Sequence, residues 1–198
     1  MHESARRFMK TNNLKKLTLT AIFAAIAVVG SLFSFPIFGA KCAPVQHLIN
    51  VLCAIFLGPA YGVGCAFIAS FIRTLLGLGT MLAFPGSMCG AALAGLLYRF
   101  SRRRWTAYVG EVCGTALIGG MLAYPVASLI LGNTTATLFT FVVPFLVSTA
   151  GGAVIAAVLC ELMAGTGLLP QLKCQLEENH GSTGIYNTDG CREKGHHN

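Results

Sequence analysis

A cluster of polar side chains stands between two long apolar runs in the first third of the chain. Gln46 and Asn50 are four residues apart and His47 and Asn50 are three apart, so on a helix they share one surface. Amide and imidazole groups can hydrogen-bond a small polar ligand, although polar groups inside membranes also bond neighbouring helices. Lys41 lies just before them. We interpret the cluster as the mouth of a small-molecule site.

Two cations, Lys41 and Arg73, lie apart from the basic clusters of the chain. An arginine inside a membrane helix is costly and is a functional-site hypothesis by default. No carboxylate falls in the outer half of any predicted helix, so neither cation has an evident acidic partner. Two alternatives stay open. The cations meet an anionic or electron-rich ligand, or Arg73 bonds the carbonyls at its own helix end, where a cation is favoured.

Two carboxylates, Glu111 and Glu161, are predicted near the cytoplasmic ends of the fifth and sixth helices. A proton relay would need further titratable groups linked across the membrane, and the apolar runs contain none farther out. We therefore expect these carboxylates to pair with the basic cluster at Arg102–Arg104 or with a partner protein.

Metal and catalytic motifs are not found. His47 has no Cys, Asp or second His near it, so no metal site is predicted there. Near the C-terminus, two cysteines and three histidines fit no zinc spacing: Cys174, Cys191, His180, His196 and His197. No Gly-rich phosphate loop with Lys-Ser/Thr occurs, so any ATP must be hydrolysed by another protein. No nucleophile elbow, metalloprotease helix or Asp pair is present, and we predict no enzymatic activity and no cofactor.

Composition indicates which class of protein positions these groups. Of 198 residues, 55% are hydrophobic and 11% are charged, against roughly 25% charged in soluble domains. The formal charge of +7 does not indicate nucleic-acid binding, because most Lys and Arg residues lie in the N-terminal tail, in the loop 99–104 and after residue 170. This is the distribution of cytoplasmic segments under the positive-inside rule. The chain is predicted to be an all-α integral membrane protein.

Six transmembrane helices are predicted from the apolar runs and their Pro and Gly breaks. They cover residues 17–38, 44–57, 60–76, 84–98, 105–131 and 138–164. The domain division is a cytoplasmic tail over 1–13, a six-helix membrane domain over 14–169 and a polar tail over 170–198 that is expected to be disordered. The second and third helices are short and carry polar groups, so we expect them to line protein or a cavity rather than lipid.

One topology agrees with every basic cluster. It places the N- and C-termini and the loop 99–104 in the cytoplasm. The loops 39–43, 77–83 and 132–137 then lie outside. The polar cluster and the Arg73 end of the third helix are therefore predicted to face outward.

Small residues at helical spacing predict close contacts between helices. The fourth and fifth helices carry two such groups: Gly86, Gly90 and Ala94, then Gly110 and Gly114. The first helix carries the pair Ala21 and Ala25. From the residues alone, packing within the chain is favoured for this pair over contact with a partner.

Several segments together resemble the ThiW family. They are KCAPVQHLIN at 41–50, LGP at 57–59, RTLLGLGT at 73–80 and AFPGSM at 83–88, followed by a small-residue helix ending at Arg99. The resemblance covers about residues 14–169. ThiW proteins are the substrate-capturing S components of energy-coupling-factor (ECF) vitamin transporters, assigned to the thiazole precursor of thiamine.

The resemblance implies a six-helix S-component fold in the cell membrane of a prokaryote, with the vitamin bound near the outer face. It implies a transmembrane coupling protein and two ATPase subunits as partners. It also implies that Ala21 and Ala25 contact the coupling protein, because S components present a small-xxx-small face of their first helix to it.

The substrate implied by the resemblance is hydroxyethylthiazole, which is small and nearly neutral. Its ring would stack on an aromatic side chain such as Phe84 or Tyr124. Four polar residues are candidates for its hydroxyl and ring nitrogen: Gln46, His47, Asn50 and Asn133. A phosphorylated thiazole would better explain Lys41 and Arg73.

Other interpretations stay open. The chain could be an S component for another vitamin, such as biotin or thiamine itself, because family members share the fold and differ in pocket residues. A self-sufficient secondary carrier driven by protons would need a titratable path that Glu111 and Glu161 alone do not supply. An intramembrane enzyme acting on a lipid would need a nucleophile and base, which we do not find.

Overall fold

The computed structural model describes residues 2–37 and 40–177, and helices make up most of that length. The helices are α1 (His2–Gly30), α2 (Pro44–Phe56), α3 (Pro59–Leu75), α4 (Ala83–Ser101), α5 (Arg104–Ile130), α6 (Val142–Gly165) and α7 (Leu168–Glu177). Between α1 and α2 lie a 3-10 turn, Ser31–Phe33, and an antiparallel hairpin of β1 (Phe35–Ile37) and β2 (Ala40–Cys42). All six predicted helices are therefore present as helices.

Proline and glycine set the ends of the second and third helices as predicted. Pro44 and Pro59 each occupy the first turn of their helix, where a missing N–H removes no hydrogen bond. Gly58 between the two helices has a φ of +87°, a backbone conformation that favours glycine. The LGP turn thus lets α3 follow α2 with hardly any linker.

The predicted bounds of the first helix and of the C-terminal tail are wrong. The first helix runs from His2 to Gly30 rather than over residues 17–38, and Pro36 lies in β1 opposite Lys41 instead of kinking a helix. Proline cannot donate the hydrogen bond that a helix interior requires, whereas a short edge strand tolerates it. At the other terminus, part of the tail that was expected to be disordered is helical. Residues 170–177 belong to α7, and Leu169 at its start is 7% exposed.

The close helix contact predicted from the small residues of the fourth helix is confirmed, and the partner is α5. A Cβ atom at Gly110 would lie 2.7 Å from the Ala94 Cα, and one at Gly119 would lie 2.5 Å from the Gly86 Cα. Such distances leave no room for a side chain, so the two backbones are in direct contact. Thr115 lies on α5 beside this seam, within a short π-helical segment, Gly114–Gly119. Segments of this kind frequently occur at functional sites.

Three helices of the described chain are long and apolar enough to cross a membrane. The spans are Asn13–Phe33, Arg104–Ile130 and Val142–Gly165, and Pro44–Phe56 and Pro59–Leu75 are shorter apolar helices. This is the architecture of an all-α membrane protein. We call the end of the bundle that carries the β1–β2 hairpin the hairpin end, and the end that carries the loop 99–104 the basic end.

The basic end holds one of the predicted ion pairs. Arg104 Nη2 lies 3.2 Å from Glu161 Oε1, and Arg104 Nη1 donates to the Cys160 carbonyl at 3.3 Å. The pairing expected for Glu161 with the arginine cluster is confirmed. On the same end, the Lys173 ammonium of α7 donates to the Tyr98 hydroxyl of α4. These contacts tie α5 to α6 and α7 to α4.

Candidate functional site

A polar cavity opens between α2, α3, α4, α5 and α6, below the hairpin. It has about 330 Å³ of empty volume, part of which is open to solvent. Its lining residues are Lys41, Ala43, Gln46, His47, Arg73, Ala83, Gly86, Ser87, Thr115, Phe145 and Ser148.

A buried carboxylate organises one wall of the cavity. Glu111 is 0% exposed, and its Oε1 lies 2.8 Å from His47 Nδ1. Asn50 Nδ2 donates to the same oxygen at 2.9 Å, and Thr115 Oγ1 donates to it at 3.2 Å. The contact with Glu111 engages His47 Nδ1, so Nε2 is the ring nitrogen left for a ligand.

The pairing predicted for Glu111 with Arg102–Arg104 is therefore wrong. At ~1.5 Å per residue, Glu111 lies only about 10 Å from the start of α5, so its expected position near the basic end is reasonable. The sequence does not show how far His47 lies from the hairpin end of the bundle. The 13 residues of α2 span about 20 Å, short of a ~30 Å hydrocarbon core. Because α2 starts below the hairpin end, it brings His47 down to the level of Glu111.

A buried arginine forms the opposite wall. Arg73 is 2% exposed, and its Nη1 donates to Gln46 Oε1 at 3.1 Å. The Arg73 Nε and the Gln46 Nε2 are buried and have no hydrogen-bond partner. Both belong to side chains that line the cavity, so they are donors available to a ligand.

Among the described contacts, Arg73 does not donate to the carbonyls of its own helix end. Lys41 takes that position instead, because its Nζ donates to the Gly77 carbonyl at 2.7 Å. The hairpin thus supplies the cation that α3 requires at its C-terminal end. This contact also fixes Lys41 at the rim of the cavity, where it is exposed.

Hydroxyl groups and one aromatic ring complete the lining. Ser148 Oγ accepts a hydrogen bond from the Ala43 N–H at 2.9 Å, which anchors the start of α2 to α6. Ser87 Oγ donates to the Ala83 carbonyl at 2.8 Å and lies 2.9 Å from Ser70 Oγ. Phe145 provides the apolar surface. The cavity therefore offers one ring for stacking and several groups for hydrogen bonds.

The structure brings four of the predicted binding residues into the lining: Lys41, Gln46, His47 and Arg73. Asn50 lies behind it, on Glu111 and on the Ser87 carbonyl, to which its Nδ2 donates at 3.2 Å. Contact of these residues with a ligand stays a prediction.

Three other predicted binding residues lie outside the lining. Phe84 packs edge-on against Phe67, with ring centroids 5.7 Å apart. Asn133 is exposed and folds back on its own loop, where its Oδ1 accepts from the Thr135 N–H at 3.1 Å. Tyr124 is half-buried on α5. Phe145 lines the cavity instead, and nothing in the local pattern distinguishes it from its apolar neighbours. Contact of Phe84, Tyr124 or Asn133 with a ligand stays a prediction.

No metal centre is evident in the part of the chain that the structure describes, which contains no group of three or more His, Cys, Asp or Glu side chains placed to hold an ion. The cysteine and histidines considered for the tail, Cys191, His180, His196 and His197, lie outside the described residues.

Comparisons with known proteins identify the family of the chain. The chain matches no curated protein at a significant level. Residues 17–166 match the family model described as "Thiamine-precursor transporter protein (ThiW)", which takes in the whole bundle from α1 to the end of α6. The match includes every residue that lines the cavity. The chain therefore belongs to the ThiW family of thiamine-precursor transporters.

Proposed function

We propose that this protein is the substrate-capture subunit, or S component, of an ECF-type importer for the thiazole precursor of thiamine, hydroxyethylthiazole or its phosphate. The observation that carries the proposal is the polar cavity in a chain that belongs to a thiamine-precursor transporter family. The cavity is small, and it combines one aromatic ring with convergent hydrogen-bonding groups, as a site for a small heterocycle requires.

The lining assigns a role to each part of such a ligand. Phe145 stacks on or against the heterocyclic ring. His47 Nε2 accepts from the ligand hydroxyl, because Nδ1 is already engaged by Glu111 Oε1 at 2.8 Å. Gln46 Nε2 donates to a ligand oxygen or to the ring nitrogen.

Uptake by this protein requires partners that supply energy. The proposed partners are a transmembrane coupling protein and two ATPase subunits, which hydrolyse ATP. The exposure of Ala21 and Ala25 supports contact with the coupling protein, because Ala24 and Ala27 of the same helix pack inward instead. Packing within the described chain therefore does not account for the small-xxx-small pair.

The proposed topology has six transmembrane helices in the cell membrane of a prokaryote, with both termini in the cytoplasm. The arginines of the basic end then face the cytoplasm, as the positive-inside rule requires. The hairpin end faces outward, so the cavity is reached from outside.

A ligand screen by thermal shift on the purified protein tests the proposal. Hydroxyethylthiazole or its phosphate should raise the melting temperature of the wild type but not of His47→Ala. Asn133→Ala is the matched control, because Asn133 lies outside the cavity lining, and it should keep the shift. Stabilisation by biotin or riboflavin, and not by either thiazole, would refute the substrate while leaving the class of transporter intact.

One observation favours a second candidate, a proton-driven secondary carrier. The His47–Glu111 pair places two titratable groups in contact inside the bundle, as proton-coupled transporters require. Vesicles that contain this chain alone would distinguish the two. Accumulation of thiazole under a pH gradient, without ATPase subunits, would support the carrier and contradict the S-component assignment.

A further inference from the structure

We infer that the ligand of the cavity carries a phosphate monoester, bound by Arg73 and Gln46 with Lys41 at the rim. This inference rests on the proposed function, because it concerns the same cavity and selects between the two forms of the thiazole precursor.

The charge state of Arg73 is the first step. Its side chain is 2% exposed, yet its one hydrogen bond among the described contacts is to the neutral Gln46 amide. The contacts between basic and acidic side chains found in the described residues, His47–Glu111 and Arg104–Glu161, do not include it. A buried charge without a counterion is costly, and native proteins normally pair it. An anionic ligand would provide the missing counterion.

The unused donors are the second step. Arg73 Nε and Gln46 Nε2 are buried and unpartnered, and both residues line the cavity. Gln46 turns its oxygen to Arg73, so its amide nitrogen is left to donate elsewhere. A hydroxyl ligand presents one oxygen, whereas a phosphate presents three strong acceptors that can engage several donors at once.

The charge balance of the cavity is the third step. Lys41 and Arg73 contribute two positive charges to the lining. The nearby carboxylate of Glu111 contacts His47, Asn50 and Thr115 rather than either cation. A phosphate monoester carries about −1.5 to −2 charges at neutral pH and would supply a counterion to Arg73, with Lys41 beside it at the rim. A neutral thiazole alcohol would leave Arg73 without a counterion.

Equilibrium binding of hydroxyethylthiazole and of its phosphate to the purified protein tests the inference. The wild type should bind the phosphate at least about tenfold more tightly, since hydrogen bonds to charged groups contribute roughly 1.5–3 kcal/mol each. Arg73→Gln should lose that preference. The matched control is Arg99→Gln, which removes the same charge from an exposed position at the basic end and should keep the preference.

Two further measurements keep the outcomes distinct. Ligand-free Arg73→Gln should melt at or near the wild-type temperature, because it removes an uncompensated buried charge; a large drop would show that Arg73 is a structural cation and would overturn the inference. Equal affinity of the wild type for both forms, or an unchanged preference in Arg73→Gln, would overturn it too. Inorganic phosphate serves as a separate probe. If it stabilises the wild type but not Arg73→Gln while neither thiazole binds, the anion site stands and the thiazole assignment fails.

Discussion

Replacing Glu111 by alanine tests the central claim about the cavity wall. The substitution removes the acceptor shared by His47, Asn50 and Thr115, which donate to it at 2.8, 2.9 and 3.2 Å. Neutral hydrogen bonds between membrane helices average only about 0.6 kcal/mol. Here the acceptor is fully buried, and leaving its buried donors without a partner costs about 1–3 kcal/mol. We expect Glu111→Ala to lower the free energy of unfolding by that amount.

Glu161→Ala is the matched control. Its carboxylate also pairs with a basic group, Arg104 at 3.2 Å, but its side chain is 64% exposed. Exposed ion pairs contribute about 0–1 kcal/mol, so this variant should unfold like the wild type. Equilibrium unfolding of both variants in the same detergent micelles measures the difference.

A double substitution separates the pair from its surroundings. If the cost of Glu111→Ala comes from leaving partners unpaired, adding His47→Ala should cost less than the sum of the two single variants. The reasoning is refuted if Glu111→Ala lies within about 1 kcal/mol of wild type, the range expected for an exposed pair. Equal losses from Glu111→Ala and Glu161→Ala would refute it as well, because burial would then make no difference.

Three other predictions follow from the packing. Gly90→Ala should lower the melting temperature, because a Cβ there would lie 2.1 Å from the Thr115 hydroxyl, whereas Gly64→Ala meets nothing within 4 Å and should be neutral or slightly stabilising. Ala25→Leu should leave ligand binding by the purified protein unchanged but reduce ATP-dependent uptake in vesicles that contain the coupling and ATPase subunits; equal uptake would argue against a partner contact. Phe145→Leu should weaken thiazole binding about 3- to 10-fold in equilibrium titrations and Phe84→Leu should not, and the opposite order would restore the original assignment of the ring.

Much of the fold could be predicted from sequence because local chemistry determines it. The apolar runs locate the helices, and Pro44 and Pro59 mark where two of them begin. Glycine and alanine spacing predicts that α4 makes a close helix contact, because a row of small side chains lets another backbone approach. The spacing does not say which helix approaches, and the structure gives α5. The extent of α1 was mispredicted because an apolar run such as 35–37 suits a short strand as well as a helix.

For the candidate site, the sequence predicts which residues are unusual but not which residues they contact. Residue types alone indicated that Gln46, His47, Arg73 and Lys41 need a special environment, because polar groups are costly inside a membrane. Their partners were not predictable from sequence. The sequence predicts an arginine or a partner protein as the contact of Glu111, whereas the structure gives His47. That contact depends on how far down the bundle α2 starts.

What the sequence by itself determined is therefore the membrane class, the helices and the residues that are out of place in lipid. Tertiary structure alone decided which of them meet. His47 and Glu111 are 64 positions apart, and Lys41 and Gly77 are 36 apart. Contacts over such separations are set by the depth and rotation at which helices pack, and no local pattern records either quantity.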